Sequence, residues 1–167
     1  KAWLMNAFTC RNVEDSIRFR PPEAHRFVVW SLIEGDRVCF DFRKLVGFSK
    51  TVRIQTKFSL RLSSFAMNRH LFPVATGPGL LVMEAVGQPK IMLRVDAPES
   101  IPASRLIAWS IETVFELESE GSIVDDYMSP VYLKPCEGEA VVVDPDDPRR
   151  HTGGKLRQLL RLLFPYF

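Results

Sequence analysis

Apolar and polar residues alternate with a period of two along much of the first half of the chain. The alternation is clearest in residues 37–42, RVCFDF, and recurs in residues 51–56, TVRIQT, and residues 58–65, FSLRLSSF. A period of two places successive side chains on opposite faces of a β-strand. Closely spaced segments of this kind, bounded by small or polar residues, are typical of an antiparallel sandwich or barrel and not of βαβ units.

No helical periodicity is sustained between residues 27 and 143, so this whole span is predicted to be β-structure. Further strands are predicted in seven segments: residues 27–32 (FVVWSL), 80–83 (LLVM), 90–95 (KIMLRV), 105–110 (RLIAWS), 113–118 (TVFELE), 131–133 (VYL) and 140–143 (AVVV). Their β-branched and aromatic residues favour strands. The sequence therefore predicts an all-β protein, an antiparallel β-sandwich or flattened barrel.

A turn of two glycines and a proline lies at the centre of the chain. Gly77, Pro78 and Gly79 separate the apolar segment LFPVAT from the apolar segment LLVM. The turn lacks the Lys-Ser or Lys-Thr pair of a phosphate-binding loop, and no helix is predicted after it. We predict that these three residues form a structural turn.

Two segments on either side of this turn resemble each other, which predicts an internal duplication. KLVGFS at residues 44–49 matches RLIAWS at residues 105–110 in residue type, 61 positions later. GLLVM at residues 79–83 matches GEAVV at residues 138–142, 59 positions later. We predict a duplicated β domain over residues 1–143, with similar halves at residues 27–86 and 90–143. The small residue, Gly47 or Ala108, is expected to allow close approach of the paired strand.

The composition changes after residue 143. Residues 144–154 contain DPDDP and a Gly-Gly pair and are predicted to be a linker, and residues 155–167 a helical tail. One apolar face of this short amphipathic helix is formed by leucines at i, i+3, i+4 and i+7: Leu156, Leu159, Leu160 and Leu163. We expect this candidate docking face to bind its own sheet, a neighbouring subunit or an anionic membrane surface.

The repeated segments and the central turn resemble the AIM24 family, named for altered inheritance of mitochondria. The resemblance rests on LVGF at residues 45–48, on the strand that leads into Gly77-Pro78-Gly79, and on LIAW at residues 106–109 before the Gly138 turn. It covers roughly residues 38–143. The sequence departs from the family at residues 63–70, SSFAMNRH, where a glycine-rich stretch is usual, and the first 30 residues match nothing in the family.

The resemblance to the AIM24 family implies a fold similar to the subunit of the tryptophan RNA-binding attenuation protein. It also implies a homo-oligomer, with a trimer favoured, because bacterial members assemble in this way. Mitochondrial members are associated with inner-membrane organisation. The family has no known catalytic residues, so the resemblance assigns none to this chain.

Residue types that support catalysis or metal binding are present but scattered. His25, His70 and His151 are far apart, and none has a second histidine or a cysteine at ligand spacing. The carboxylates at residues 125–126 and 144–147 are predicted to lie in solvated loops. Cys39, within an alternating strand, is expected to be a small core or interface residue. We predict no catalytic residue, metal or cofactor, and a non-catalytic assembly or scaffold protein.

A nucleic-acid-binding β module is the main alternative. The first half carries many basic residues between phenylalanines: Arg37, Arg43, Lys44, Lys50, Arg53, Lys57, Arg61 and Arg69. Basic aromatic sheets can hold phosphates and stack bases. Phe40, Phe42 and Phe58 alternate with the charges, however, and are predicted to face the core. Nucleic acid is therefore a less favoured partner than a second copy of the chain, a protein or an anionic membrane.

Charge and cysteine content bear on partners and location. Eleven acidic residues between residues 112 and 147 accompany the single base Lys134, whereas five basic residues and no acid follow from residue 149 onward. The apolar runs are too short to span a bilayer, and Lys1 does not begin a signal peptide. Three widely spaced cysteines without a C-x-x-C pair favour a reducing compartment. We expect a cytoplasmic protein, with a mitochondrial or peripheral membrane location as the alternative.

Overall fold

The computed structural model describes residues 18–59, 71–93, 100–118, 132–137 and 140–146. They form twelve strands: β1 (His25–Leu32), β2 (Arg37–Phe40), β3 (Leu45–Phe48), β4 (Arg53–Phe58), β5 (Leu71–Thr76), β6 (Gly79–Val86), β7 (Lys90–Leu93), β8 (Ile101–Pro102), β9 (Leu106–Ser110), β10 (Val114–Glu118), β11 (Tyr132–Glu137) and β12 (Ala140–Val143). Short 3₁₀ turns, Phe42–Lys44 and Ala103–Arg105, precede β3 and β9. The prediction of an all-β fold is confirmed. The predicted tail helix, with Leu156, Leu159, Leu160 and Leu163, lies outside the described residues.

The strands form one large sheet and two small ones, and all their pairings are antiparallel. The central sheet has six strands in the order β4-β5-β2-β9-β12-β7, and the small sheets have the orders β1-β6-β3 and β10-β11-β8. The β2·β9 pair joins strands from the two predicted halves, with Cys39 opposite Trp109. Both halves therefore contribute to one continuous sheet.

Two hydrophobic cores lie on opposite faces of the central sheet. The first contains Phe40 and Ala75 of the central sheet with Leu81 of β6, and it lies under sheet β1-β6-β3. The second contains Val74 of the central sheet with Leu133 of β11, under sheet β10-β11-β8. Because neighbouring residues of a strand point to opposite faces, Val74 and Ala75 supply one core each. The architecture is a three-layer β-sandwich.

The predicted repeat begins with the same irregular strand pairing in both halves. In the β3·β6 pair, Leu45 lies opposite Met83 and Gly47 lies opposite Val82, which leaves Val46 as an extra, bulged residue. A bulge of this kind bends a strand and increases its twist.

The same bulge recurs in the β9·β12 pair. Leu106 lies opposite Val143 and Ala108 lies opposite Val142, which leaves Ile107 as the extra residue. Ile107 follows the bulged residue of the first half by the 61 positions of the sequence match. The residues opposite Gly47 and Ala108 are Val82 and Val142, which are 60 positions apart. The sequence match of GLLVM with GEAVV had placed these two partner strands 59 positions apart. The duplication and its boundaries stay predictions, which this recurrence supports.

The expected role of a small residue in this strand is wrong at Gly47. A Cβ atom at Gly47 would have no other heavy atom within 4 Å, so no strand approaches closely there. Its counterpart Ala108 is fully buried in the first core. The small size therefore suits the packing in the second half only.

Candidate functional site

The two halves are joined by a buried ion pair between Lys44 and Asp144. Lys44 ends the 3₁₀ turn before β3, and Asp144 directly follows β12. The Lys44 Nζ donates a hydrogen bond to the Asp144 Oδ2 across 2.8 Å, and both side chains are shielded from solvent. Charged side chains are buried in this way only when they are paired, since removing either charge from water is costly.

Asp144 also holds the backbone of two other strands. Its Oδ2 accepts a hydrogen bond from the backbone N–H of Val86 at 2.7 Å, at the end of β6. Its own N–H donates to the carbonyl oxygen of Arg105 at 2.9 Å, immediately before β9. The second carboxylate oxygen, Oδ1, is buried and accepts no hydrogen bond within the described part of the chain. Asp144 thus connects the ends of β6, β9 and β12.

Asp146 continues this contact along the turn between β6 and β7. Its Oδ2 accepts a hydrogen bond from the backbone N–H of Gln88 at 3.1 Å. A Cβ atom at Gly87, whose φ is +82°, would collide with the Asp146 side chain. The predicted linker over residues 144–154 therefore begins with two residues that contact the β body, and Asp144 does not lie in the solvated loop that we expected.

The geometry of the Lys44–Asp144 pair favours a structural role. A catalytic lysine or carboxylate must reach its substrate directly or through one water molecule. Here the side chains of Lys44 and Asp144 are only 1% and 0% exposed, and the Nζ atom already donates to the carboxylate. The ion pair can fix three strand ends but offers no surface to a substrate.

The central turn packs on two neighbouring turns, as its predicted structural role requires. The backbone N–H of Gly77 donates to the carbonyl oxygen of Asp36 at 3.1 Å, and a Cβ atom at Gly77 would collide with the Ile33 carbonyl oxygen. Gly79 has a φ of +144°, and a Cβ atom there would collide with the Ser49 side chain. Pro78 lies between them, exposed, and its peptide bond with Gly77 is cis.

The other titratable residues of the described structure do not form a cluster. His25 Nδ1 lies 2.7 Å from Glu84 Oε1, and this pair is half-buried on the small sheet β1-β6-β3. Sequence reasoning missed the pair because it depends on the register of β1 against β6. Within the described ranges, no three residues among His, Cys, Asp and Glu come together in a way that could hold a metal ion. His70 and His151 lie outside those ranges.

The two described cysteines have different surroundings. Cys39 is buried in the second core, as predicted. Cys136 is exposed, and its Sγ donates a weak hydrogen bond to the Lys134 carbonyl oxygen at 3.5 Å. Local desolvation and then the hydrogen bond with Glu116 raise the pKa of Cys136 above its ordinary value. The thiol therefore stays largely protonated at neutral pH and is a poor nucleophile.

Opposite charges lie on corresponding strands of the two halves. β4 is the outermost strand in the described part of the central sheet, and it exposes Arg53 and Lys57. β10 is the outermost strand of sheet β10-β11-β8, and it exposes Glu116 and Glu118. Lys57 and Glu118 are separated by the 61 positions of the repeat. The described fold therefore carries one basic and one acidic edge.

The expectation that Phe58 faces the core is wrong. Phe40 is fully buried and Phe42 packs partly against the first core, but the Phe58 side chain is 64% exposed. Because alternate residues of a strand point to opposite faces, Phe58 lies on the other face of β4 from Arg53 and Lys57. The aromatic and basic groups of this strand do not share a surface.

The small sheet β1-β6-β3 exposes apolar residues on its outer face. Val29 of β1 and Leu80 of β6 are 56% and 47% exposed. The neighbouring residues on this face, Phe27 and Val82, are half-buried. Large apolar residues that are contiguous at a surface usually mark an interaction site. In the part of the chain that the structure describes, no helix is long and apolar enough to cross a membrane.

Comparison with known proteins shows a similar fold. No family model matches the chain, and no curated protein matches it. The chain is similar to the crystal structure of protein SPYM3_0169 from Streptococcus pyogenes, with a TM-score of 0.54 and 12% sequence identity. The match covers 85% of this chain and 60% of that one. The likeness is one of fold.

Proposed function

We propose that the chain is a non-catalytic assembly or scaffold protein of the AIM24-like type, whose copies join through their oppositely charged strand edges. The observation that carries this proposal is the pair of exposed strands: β4 with Arg53 and Lys57, and β10 with Glu116 and Glu118. The described chain forms no salt bridge to any of these four side chains. Arg53 and Lys57 are exposed, whereas Glu118 accepts a hydrogen bond from the Ser100 hydroxyl and Glu116 interacts with the Cys136 thiol, so a second copy would share or displace these two contacts.

Antiparallel pairing of β4 with β10 of another copy sets one pair of opposite charges face to face and leaves Lys57 opposite Val114. In the register that sets Arg53 opposite Glu118, Gln55 lies opposite Glu116. Opposite charges that face each other across two strands contribute about 0.2–1 kcal/mol per pair relative to alanine pairs. In this contact the opposite charges select the partner strand.

This contact is heterologous, because each copy contributes a basic edge to one neighbour and an acidic edge to the other. Heterologous contacts form rings when the rotation between copies closes. A ring of three is the assembly that the resemblance to the AIM24 family favours. The all-β antiparallel fold agrees with what the resemblance implies, and a cytoplasmic location is part of the proposal.

Charge reversal tests the proposed contact. We expect the full chain to form a homo-oligomer at micromolar concentration in sedimentation velocity or mass photometry. The variants R53E/K57E and E116K/E118K should each dissociate it, and an equimolar mixture of the two should recover paired species. The matched control R20E/R26E reverses two exposed bases outside the central sheet and should leave the assembly intact.

Three results would contradict the proposal. A monomeric chain would remove the assembly altogether, and charge reversals without effect on mass would remove the β4·β10 contact. The third result concerns nucleic acid: if R53E/K57E keeps the oligomer but abolishes binding of single-stranded RNA in fluorescence anisotropy, the basic strand serves nucleic acid instead.

A further inference from the structure

The outer face of the β1·β6 pair is an uncovered apolar surface, distinct from the β4 and β10 edges. Register places Val29 opposite Val82 and Ser31 opposite Leu80, and residues opposite each other project from the same side of a sheet. Phe27 lies on this side as well, because it is two residues from Val29. The alternate residues of both strands face the first core. The surface is therefore the outer side of the sandwich.

The described chain ends beside this surface. Asp146, its last residue, accepts a hydrogen bond from the backbone N–H of Gln88 in the turn after β6. The N–H of Gly87 in the same turn donates to the Ala24 carbonyl oxygen at 2.8 Å, one residue before β1 begins. Asp146, from which the chain continues into residues 147–167, therefore lies at the end of the sheet where β6 ends and β1 begins.

We propose that the predicted tail helix, residues 155–164, docks on this outer face through its leucines. The eight residues 147–154 can span up to about 26–29 Å when extended. Only about 13 Å separates Val86, at the end of β6, from Val82 at the middle of the apolar face. The tail can therefore reach the surface without strain.

The dimensions of the two partners agree. A helix over residues 155–164 is about 15 Å long, and the apolar face from Phe27 to Ser31 is about 13 Å long. A helix about 10 Å wide covers two neighbouring strands, here β1 and β6. Arg157 and Arg161 lie away from the leucines on such a helix, so they would stay in water when the leucines dock.

Residues 1–17 are the competing occupant, because they too lie outside the described residues. Their apolar residues, such as Trp3, Leu4 and Phe8, are spaced irregularly. The tail instead places Leu156, Leu159, Leu160 and Leu163 on a single helical stripe. A flat apolar face is covered best by a continuous stripe, so the observations favour the tail.

Hydrogen exchange read by mass spectrometry on the full chain tests the docking. Amides of residues 158–163 are expected to exchange at least tenfold more slowly than in an unstructured peptide. Val29→Asp should abolish this protection by placing a charge in the contact. Ile91→Asp is the matched control, because Ile91 of β7 is also 56% exposed but lies in the central sheet. Exchange in β5 reports whether each variant keeps its fold.

Each other outcome overturns the proposal in a distinct way. Tail amides that are unprotected, or whose protection survives both Val29→Asp and Leu80→Asp, show that the helix does not bind this face. Protection that falls on tenfold dilution assigns the face to a second copy. If the tail amides are protected only when phosphatidylglycerol vesicles are present, the tail binds a membrane. If residues 1–17 are protected and Val29→Asp abolishes that protection, the N-terminal segment occupies the face. The charge-reversal variants of β4 and β10 do not touch this surface, so the two proposals fail independently.

Discussion

The Nζ atom of Lys44 lies 2.8 Å from the Oδ2 atom of Asp144, and the body of the protein encloses both side chains. The two residues are separated by one hundred positions, and the ion pair connects the start of β3 with the end of β12. Because Asp144 also accepts the Val86 N–H, losing the carboxylate would free a third strand end. The stability of the joint between the halves therefore depends on this carboxylate.

Removing one partner of this ion pair is expected to be strongly destabilising. Lys44→Met leaves the buried Asp144 carboxylate without its counter-charge and should lower the free energy of unfolding by about 3–5 kcal/mol. Urea denaturation followed by tryptophan fluorescence measures the change. The matched control is Arg105→Met, since Arg105 is the corresponding residue of the second half and forms no ion pair in the described structure. Its effect should stay within about 0.5 kcal/mol.

The double variant Lys44→Met/Asp144→Asn removes both charges and keeps an oxygen for the Val86 N–H. We expect it to be more stable than Lys44→Met alone, because no uncompensated charge remains buried. A double variant whose loss equals the sum of the two single losses would contradict the view that charge pairing dominates at this position.

The glycines of the central turn give a second prediction. Gly77→Ala should lower the free energy of unfolding by about 1–3 kcal/mol, because its Cβ would meet the rigid carbonyl group of Ile33. Gly79→Ala should have a similar effect, since its φ of +144° is unfavourable for alanine and Ser49 blocks the space. Thermal unfolding followed by circular dichroism compares the variants.

Gly47 provides the matched control for the turn glycines. Its Cβ would meet nothing within 4 Å, its φ is not positive, and alanine already occupies the corresponding position 108. Gly47→Ala should therefore be neutral or stabilise the protein by up to about 1 kcal/mol through the unfolded chain. A loss as large as that of Gly77→Ala would show that chain entropy and open space do not govern these positions.

Alternation in the sequence predicted the strands well because it reports a local property. The segment RVCFDF contains β2, and the segment TVRIQT covers the first four residues of β4, which extends to Phe58. β2 is buried on both faces, since Cys39 lies in the second core and Phe40 in the first, so its alternation does not reflect a single buried face. The repeat predicted the corresponding β3 and β9, which share a bulge. The sequence match placed β6 and β12, which pair with β3 and β9, 59 positions apart, but in the structure they are 60 positions apart. A single bulge shifts register, and residue types alone do not show where it lies.

Sheet order and the charged contacts could not be predicted because they join distant residues. Lys44 was one of many bases in the first half, and Asp144 belonged to an acidic segment with the composition of a linker. Only the fold brings them together. Phe58 shows a second limit of sequence analysis. Its position fits the alternating pattern, yet it lies at the end of an outermost strand, where the described structure leaves it exposed. Alternation identifies a face of a strand but not whether another layer covers it.

Two phenylalanines test this difference between alternation and burial. Phe40→Ala should lower the free energy of unfolding by about 3–5 kcal/mol, because the ring is fully buried in the first core. Phe58→Ala should lower it by less than about 1 kcal/mol, since most of that ring is exposed. Guanidinium denaturation measures both, and equal losses would contradict the burial assigned to β4.

The last prediction concerns the reactivity of Cys136, which occupies a bulge in β11. Its neighbours Pro135 and Glu137 lie opposite Phe115 and Val114, so Cys136 has no partner residue in β10. Although the thiol is exposed, local desolvation and then the hydrogen bond with Glu116 raise its pKa. Only the thiolate reacts with iodoacetamide, so a raised pKa means less thiolate and slower labelling at pH 8.

The labelling rate of Cys136, followed by mass spectrometry of its peptide as a function of pH, should reach half its maximum at a higher pH than that of an unperturbed thiol. Glu116→Gln removes a negative charge that opposes the thiolate and should move the midpoint down, whereas Glu112→Gln, at another exposed glutamate, should leave it unchanged. A midpoint at or below that of the free thiol would show that neither desolvation nor Glu116 controls this cysteine.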